Sequence, residues 1–312
     1  MEFKPSENTK LYGMKNYFDQ ITKLYDKKKM PTKILLSGKK GLGKSTLAYH
    51  IINYILSTSE EFNYDSLNFI INENNRSFKL LQNNSHPNFY LIDVLNDKKN
   101  IDVSQIREMI TYTNKSTFNN MARFILIDNV ENLNKNSINA LLKIIEEPND
   151  KIFFILINNS EKNILPTLKS RCLTFKINFT FNESVNVSNQ ILDENILDLI
   201  NYDLINYYNT PGEIINLINF SKDKNVDLKN LTLSNFLNLL IDNGYYKKNK
   251  IVKMLLINFI ELFFLKEYKL SKSKSSLLNF YHNFINRINN TEKFNLDEES
   301  LFLEFKAKLL NG

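Results

Sequence analysis

A chain of 312 residues, 43% hydrophobic and 24% charged, is long enough for two or three domains and has an ordinary balance for a globular protein. No apolar run approaches the roughly 18 to 20 residues of a membrane span, and the polar start MEFKPSENTK lacks a signal peptide's apolar centre, so the expectation is a cytoplasmic protein without a membrane partner. One cysteine, Cys172, and three scattered histidines exclude internal disulfides and a multi-cysteine metal site, while a net charge of +6 leaves open either a polyanionic partner or a merely solvated lysine-rich surface.

The first half alternates short apolar runs with amphipathic segments. KILLS (33 to 37), NFYLID (88 to 93), RFILID (123 to 128) and KIFFILI (151 to 157) read as strands, and 44 to 57, 103 to 114 and 135 to 146 as helices. Continuous rather than alternating apolar strands between helices predict a parallel sheet covered on both faces. From about residue 182 the strand signal stops, and 195 to 206, 212 to 221, 231 to 243, 249 to 268 and 275 to 290 carry Leu, Ile and Phe at helical spacing. Boundaries are expected near Thr180 and at SKDKNVD (221 to 227), and SKSKSS (271 to 276) reads as a loop.

Strand KILLS runs into Gly38-Lys39-Lys40-Gly41-Leu42-Gly43-Lys44-Ser45-Thr46 and then a helix, the strand, loop and helix context that G-x-x-x-x-G-K-[ST] requires. Three of the chain's seven glycines sit here, where backbone must approach phosphate closely. Lys44 neutralises phosphate oxygens and Ser45 ligates Mg²⁺, so Gly38, Gly41, Gly43, Lys44, Ser45 and Thr46 are expected to hold ATP. Asp128 ends a buried strand, where open α/β sheets bind ligands, and is the expected second Mg²⁺ contact. The next residue, Asn129, cannot take a proton from water, which predicts slow or absent hydrolysis; Glu131, two residues on, is the alternative acid.

Downstream, NSINALLKIIEEP (136 to 148) predicts a helix stopped by Pro148, whose terminal Glu146 and Glu147 oppose the helix dipole and face either solvent or a basic group. Asn158, at the end of the last apolar run, is placed to sense a γ-phosphate or to close a turn. Against 35 lysines the chain keeps five arginines, and Arg171 follows the short helix that comes after that run, at the domain's rim. Its rigid fork of donors suits charge stabilisation in a neighbouring subunit's site, or a surface salt bridge.

LYGMKNYFDQITKLYDKKKMPTKILLSGKKGLGKSTLAY, SHPNFYLID, DVSQIREM, RFILIDNVENLNKNSINALLKIIEEP and LPTLKSRC, in order over about residues 10 to 175, resemble the bacterial clamp-loader branch of the AAA+ ATPases, and within it the delta-prime type of DNA polymerase III subunit. The resemblance implies a P-loop AAA+ domain (1 to 178), a helical lid (179 to 224) and an all-α collar for oligomerisation (225 to 312). It implies a heteropentamer with gamma/tau motor and delta subunits that loads a sliding clamp onto primed DNA. Arg171 would then be the arginine finger for a neighbour's ATP.

Three departures separate the chain from the motor subunits. Residues 58 to 87 hold no cysteine for the family's zinc module, so no zinc is expected. Gly212 stands where the motor's lid arginine would fall, and Asn129 stands where its catalytic glutamate would. The lack of a long C-terminal extension is expected to point the same way. The alternatives are a gamma/tau-type motor ATPase and, outside the branch, a self-contained P-loop kinase. The kinase would need its own catalytic arginines.

Overall fold

Each apolar run of the first half becomes a strand of one sheet. The computed structural model describes residues 4–95, 98–115, 121–146, 151–160, 162–270, 274–294 and 296–310. In chain order the first half contains α1 (Lys15–Asp26), β1 (Lys33–Ser37), α2 (Lys44–Leu56), α3 (Arg76–Gln82), β2 (Phe89–Ile92), α4 (Val103–Thr113), β3 (Arg123–Ile127), α5 (Lys135–Glu146), β4 (Ile152–Asn158), α6 (Pro166–Lys169), β5 (Leu173–Lys176) and α7 (Phe181–Leu192). The strand order is β2-β3-β4-β1-β5, and every neighbouring pair is parallel.

The continuous apolar runs have a simple cause. Phe124 and Leu126 of β3 enter one core with Phe18, Leu47 and Ile51, whereas Ile125 and Ile127 enter the other with Ile106, Leu141 and Leu156. Successive side chains point to opposite faces, and helices cover both. The sheet flanked by helices is the one expected, with one strand added. β5 is an edge strand whose outer residues, Leu173 and Lys176, are exposed, so it lacks the fully apolar run that marked the others.

The segment from 58 to 87 is held by buried polar groups. The Glu60 carboxylate accepts hydrogen bonds from Arg76 N (2.8 Å), Ser77 N (3.1 Å) and Ser77 Oγ (2.5 Å), and Ser77 Oγ lies 3.3 Å from His86 Nε2. His50 sits between the Tyr64 hydroxyl (2.9 Å) and the Asn8 carbonyl (3.1 Å). Burial pushes both imidazoles down to about 4. Among the described residues, no group of three or more His, Cys, Asp and Glu is arranged to hold a metal ion.

The chain forms two compact units. One runs through Ile191 and takes in Thr210–Gly212; the other comprises Leu192–Asn209 and the residues from Glu213 onward. Thr180 and Glu183 begin α7 as a capping box, with Thr180 N donating to Glu183 Oε2 (2.7 Å) and Glu183 N to Thr180 Oγ1 (3.3 Å).

The second unit is helical: α8 (Ile196–Leu199), α9 (Pro211–Lys224, its first two residues in the first unit), α10 (Leu233–Asp242), α11 (Lys250–Leu270), α12 (Lys274–Phe294) and α13 (Glu299–Phe305). Its core is aromatic, with Phe236 against Phe259 at 5.0 Å and Phe305 against Phe263 and Phe284 at 5.5 Å each. The helix expected over 195 to 206 is broken. Ile200 and Asn201 are extended, Asn201 N donates to Leu228 O, and the Asn201 side chain accepts from Asp203 N at 2.9 Å to start a separate 3-10 turn, Tyr202–Leu204. Of the stretch 271 to 276, residues 271–273 lie outside the described residues and α12 begins at Lys274. No helix among the described residues is long and apolar enough to cross a membrane.

Candidate nucleotide site

The loop after β1 takes its shape from glycines. Gly41 and Gly43 have φ of +84° and +87°, and a Cβ on Gly38 would lie 2.2 Å from the Ile177 carbonyl oxygen. Gly43 is the N-cap of α2, and no side chain caps that helix. The first-turn N–H groups and the positive end of the helix dipole therefore suit an anion. Lys44 is buried, and its Nζ donates to the Lys39 carbonyl at 2.7 Å, inside the loop. Thr46 Oγ1 accepts from Asn8 Nδ2 at 3.4 Å.

Ser45 Oγ donates directly to Asp128 Oδ2. Asp128 follows β3, and burial raises its carboxyl above the usual range, with Asp93 adding repulsion and Ser45 and Lys44 opposing the rise. A hydroxyl and a buried carboxylate in mutual contact form a hard-oxygen pair that fits Mg²⁺, and the cation would offset the burial penalty on Asp128. Ser45 and Asp128 are thus in direct contact, with the Lys44 charge acting on Asp128 from the loop.

Asn129 is engaged through both ends of its amide. It lies in the left-handed region at φ 55°, donates through Nδ2 to Asp93 Oδ1 (2.7 Å) and accepts through Oδ1 from Asn159 Nδ2 (2.8 Å). Glu131 Oε1 accepts from Asn159 N at 3.1 Å. The ends of β2, β3 and β4 are therefore laced together by Asp93, Asn129, Glu131 and Asn159. Asn158 turns toward the phosphate loop: its Nδ2 donates to Ser37 Oγ (3.2 Å), and its Oδ1 accepts from Ser160 N (3.0 Å).

Gly212 has a role that sequence reasoning missed. Its N–H donates to the Gly41 carbonyl at 2.9 Å, and a Cβ on it would fall 2.7 Å from Gly41 Cα. Thr210–Gly212 is thus packed directly on the phosphate loop. The available signal was a glycine after Thr-Pro in a glycine-poor chain.

Arg171 stands elsewhere. It precedes the N-terminal end of β5, whereas the phosphate loop, Asp128 and Asn158 stand at the C-terminal ends of parallel strands. Strands of about five residues separate the two ends of the sheet by roughly 15 Å. Its Nε and Nη2 lie 3.0 and 2.8 Å from Glu146 Oε1, and Nη1 donates to the Thr167 carbonyl at 2.9 Å. The basic partner of Glu146 thus comes from the same chain; Glu147 and Pro148 lie outside the described residues.

Arg123 is structural. It is buried, its Nη1 bonds the Tyr112 (2.9 Å), Thr113 (3.3 Å) and Lys115 (2.8 Å) carbonyls at the end of α4, and it stacks on the Tyr112 ring.

The family described as DNA polymerase III, delta subunit, matches residues 13–180. Subunit delta' of DNA polymerase III from Buchnera aphidicola subsp. Schizaphis graminum is 32% identical over 161 residues, 51% of this chain and 47% of that protein. Subunit gamma from the same organism is 32% identical over 248 residues, 74% of this chain and 63% of that protein. Escherichia coli delta' is 25% identical over 155 residues, 50% of this chain and 45% of its own length. The chain spans about half the length of the delta' relatives from Buchnera and Escherichia coli and less than two thirds of the gamma relative. Among solved structures, a gamma subunit-related protein of Thermotoga maritima aligns with a TM-score of 0.43 at 16% identity, covering 94% of this chain and 92% of that one.

Proposed function

The chain belongs to the DNA polymerase III, delta subunit family, and from that premise we propose that it is a delta-prime-type stator of a clamp loader. In this reading it assembles with gamma/tau motor and delta subunits, and the complex places a sliding clamp on primed DNA. Residues 1 to 178 form the nucleotide-binding domain, 179 to 224 the lid, and 225 to 312 the collar through which subunits join. ATP with Mg²⁺ is held by the loop from Gly38 to Thr46 with Ser45, Asp128 and Asn158, and is turned over slowly or not at all. Arg171 reaches a neighbouring subunit's ATP.

The observation that carries this reading is the separation of Arg171 from the phosphate loop, at opposite ends of the same parallel sheet. A guanidinium so far from its own loop is useful to a phosphate only across a subunit boundary. The absence of hydrolysis is supported by Asn129, a neutral amide tied to Asp93 and Asn159, and by Glu131, whose Oε1 is engaged by Asn159 N. Gly212 offers no side chain to a γ-phosphate.

The gamma-type motor reading keeps one specific support, since the gamma relative matches 74% of this chain against 51% for the delta' relative from the same organism. One experiment separates the two. The purified protein is titrated with Mg·ATP and its phosphate release is followed. Saturable binding that Lys44→Ala abolishes, with negligible turnover, is expected. Steady release at an ordinary enzyme rate of about 1 s⁻¹ or more would establish the motor instead.

A further inference from the structure

Arginine's long side chain has rotamer entropy of about 2 kcal/mol, so an unrestrained guanidinium at a rim spends little time in any one pose. Arg171 is restrained. Its side chain is 37% exposed, yet Nε and Nη2 converge on a single oxygen, Glu146 Oε1, and Nη1 is held by the Thr167 carbonyl one turn back. These contacts involve all three nitrogens: Nε and Nη1 each donate a hydrogen bond, and Nη2 lies at ion-pair distance from the same carboxylate oxygen. One N–H on each Nη remains, enough to grip a phosphate oxygen from outside. Glu146 closes α5 and is itself 52% exposed, so its charge stays solvated while it holds Arg171.

We propose that Glu146 is a positioning residue for Arg171, fixing the plane of the guanidinium so that its two uncommitted N–H groups face an anion presented by a neighbouring subunit. The inference rests on the reading of Arg171 as a finger acting in trans, and adds the group that aims it. An exposed pair of this kind is weak, which matches a role in orientation rather than in fold stability. It also explains an acidic residue in the last turn of a helix, where the dipole disfavours it.

The test uses the assembled clamp loader, reconstituted with wild-type chain, Glu146→Ala, Glu146→Gln, Arg171→Ala and the double variant Glu146→Ala with Arg171→Ala, and reads DNA-stimulated ATPase. Glu146→Ala is expected to lower kcat about threefold to fivefold with KM for ATP unchanged, the range an exposed pair supports. Glu146→Gln, which keeps an acceptor oxygen, is expected to retain most of the rate. In the Arg171→Ala background, Glu146→Ala should have no further effect, because the group it aims is gone.

A slow Arg171→Ala loader combined with Glu146→Ala at or above the wild-type rate would overturn the inference and leave the finger reading standing. An equal loss from Glu146→Ala in both backgrounds would also overturn it, by showing a merely structural role. An Arg171→Ala loader at the wild-type rate would sink the finger reading, and this inference with it.

Discussion

Replacing Asn129 with aspartate is the sharpest probe of the network that joins Asp93, Asn129 and Asn159. The side chains are isosteric, and Asp, like Asn, tolerates the left-handed backbone at φ 55°. What changes is the contact with Asp93 Oδ1, now an N–H donated over 2.7 Å and in the variant a second carboxylate. Loss of the charge-assisted bond costs about 1.5–3 kcal/mol. Two charges at that distance repel by up to about 6 kcal/mol at an effective dielectric of 20. Protonating one carboxyl sets a ceiling, since binding a proton at pH 7 to a group of ordinary pKa near 3.9 costs about 4 kcal/mol.

The expected destabilisation is therefore about 2–4 kcal/mol at neutral pH. The sign follows from proton linkage. The native variant holds its carboxyl pair at a raised pKa and binds more protons than the unfolded chain, so its deficit relative to wild type shrinks as pH falls and its charge component vanishes near pH 4. Chemical denaturation at pH 7.5 and pH 5 measures both values. Adding Asp93→Asn removes the like-charge contact and should recover the charge component of the loss, but not all of it, because Asp93 Oδ1 also accepts from Val94 N at 2.6 Å. Equal stability of wild type and Asn129→Asp at pH 7.5, or no recovery in the double variant, would refute the network.

Three further outcomes follow from the same geometry. His50, held near 4 against an ordinary 6.5, stays neutral in the fold, so stability is greatest above about pH 6.5, falls as pH drops toward 4 and then levels, with His50 contributing up to about 3 kcal/mol; a pH series of melts on wild type and His50→Gln checks this, the variant showing the shallower fall. Gly212→Ala drives a methyl to 2.7 Å from Gly41 Cα and should cost about 1–3 kcal/mol and weaken Mg·ATP binding, whereas Gly244→Ala, where the nearest atoms are the flexible Lys247 side chain at 3.4 Å, should cost about 1 kcal/mol and leave binding intact, as melts and titrations would show. Arg123→Lys loses the guanidinium that stacks on Tyr112 and whose Nη1 bonds three carbonyls at the end of α4, and should destabilise by about 1–3 kcal/mol in urea titration.

The sheet was legible because β1, β3 and β4 are buried on both faces and so read as unbroken apolar runs. β5 was not, since half of its side chains face solvent. The loop from Gly38 to Ser45 was legible because its residue types stand at fixed spacing between a strand and a helix, and Ser45, in the first turn of α2, meets Asp128 just after β3. The partners of Asn129, Gly212 and Arg171 were hidden for a different reason. Asp93, Gly41 and Glu146 lie 36, 171 and 25 residues from them along the chain, and only the folded chain brings such pairs together. The break at Asn201 was hidden because an asparagine that caps a new turn looks, in periodicity, like one on a helix's polar face.

The proposed division of labour puts this chain's catalytic contribution across a subunit boundary, at Arg171, and not at its own phosphate loop. The most direct measurement is the DNA-stimulated ATPase of the assembled loader carrying Arg171→Ala or Lys44→Ala in this subunit alone. A large loss for Arg171→Ala, about 10³-fold at the site it serves, with a small loss for Lys44→Ala, is predicted. A small effect of Arg171→Ala beside a large one of Lys44→Ala would contradict the claim and make the subunit a motor.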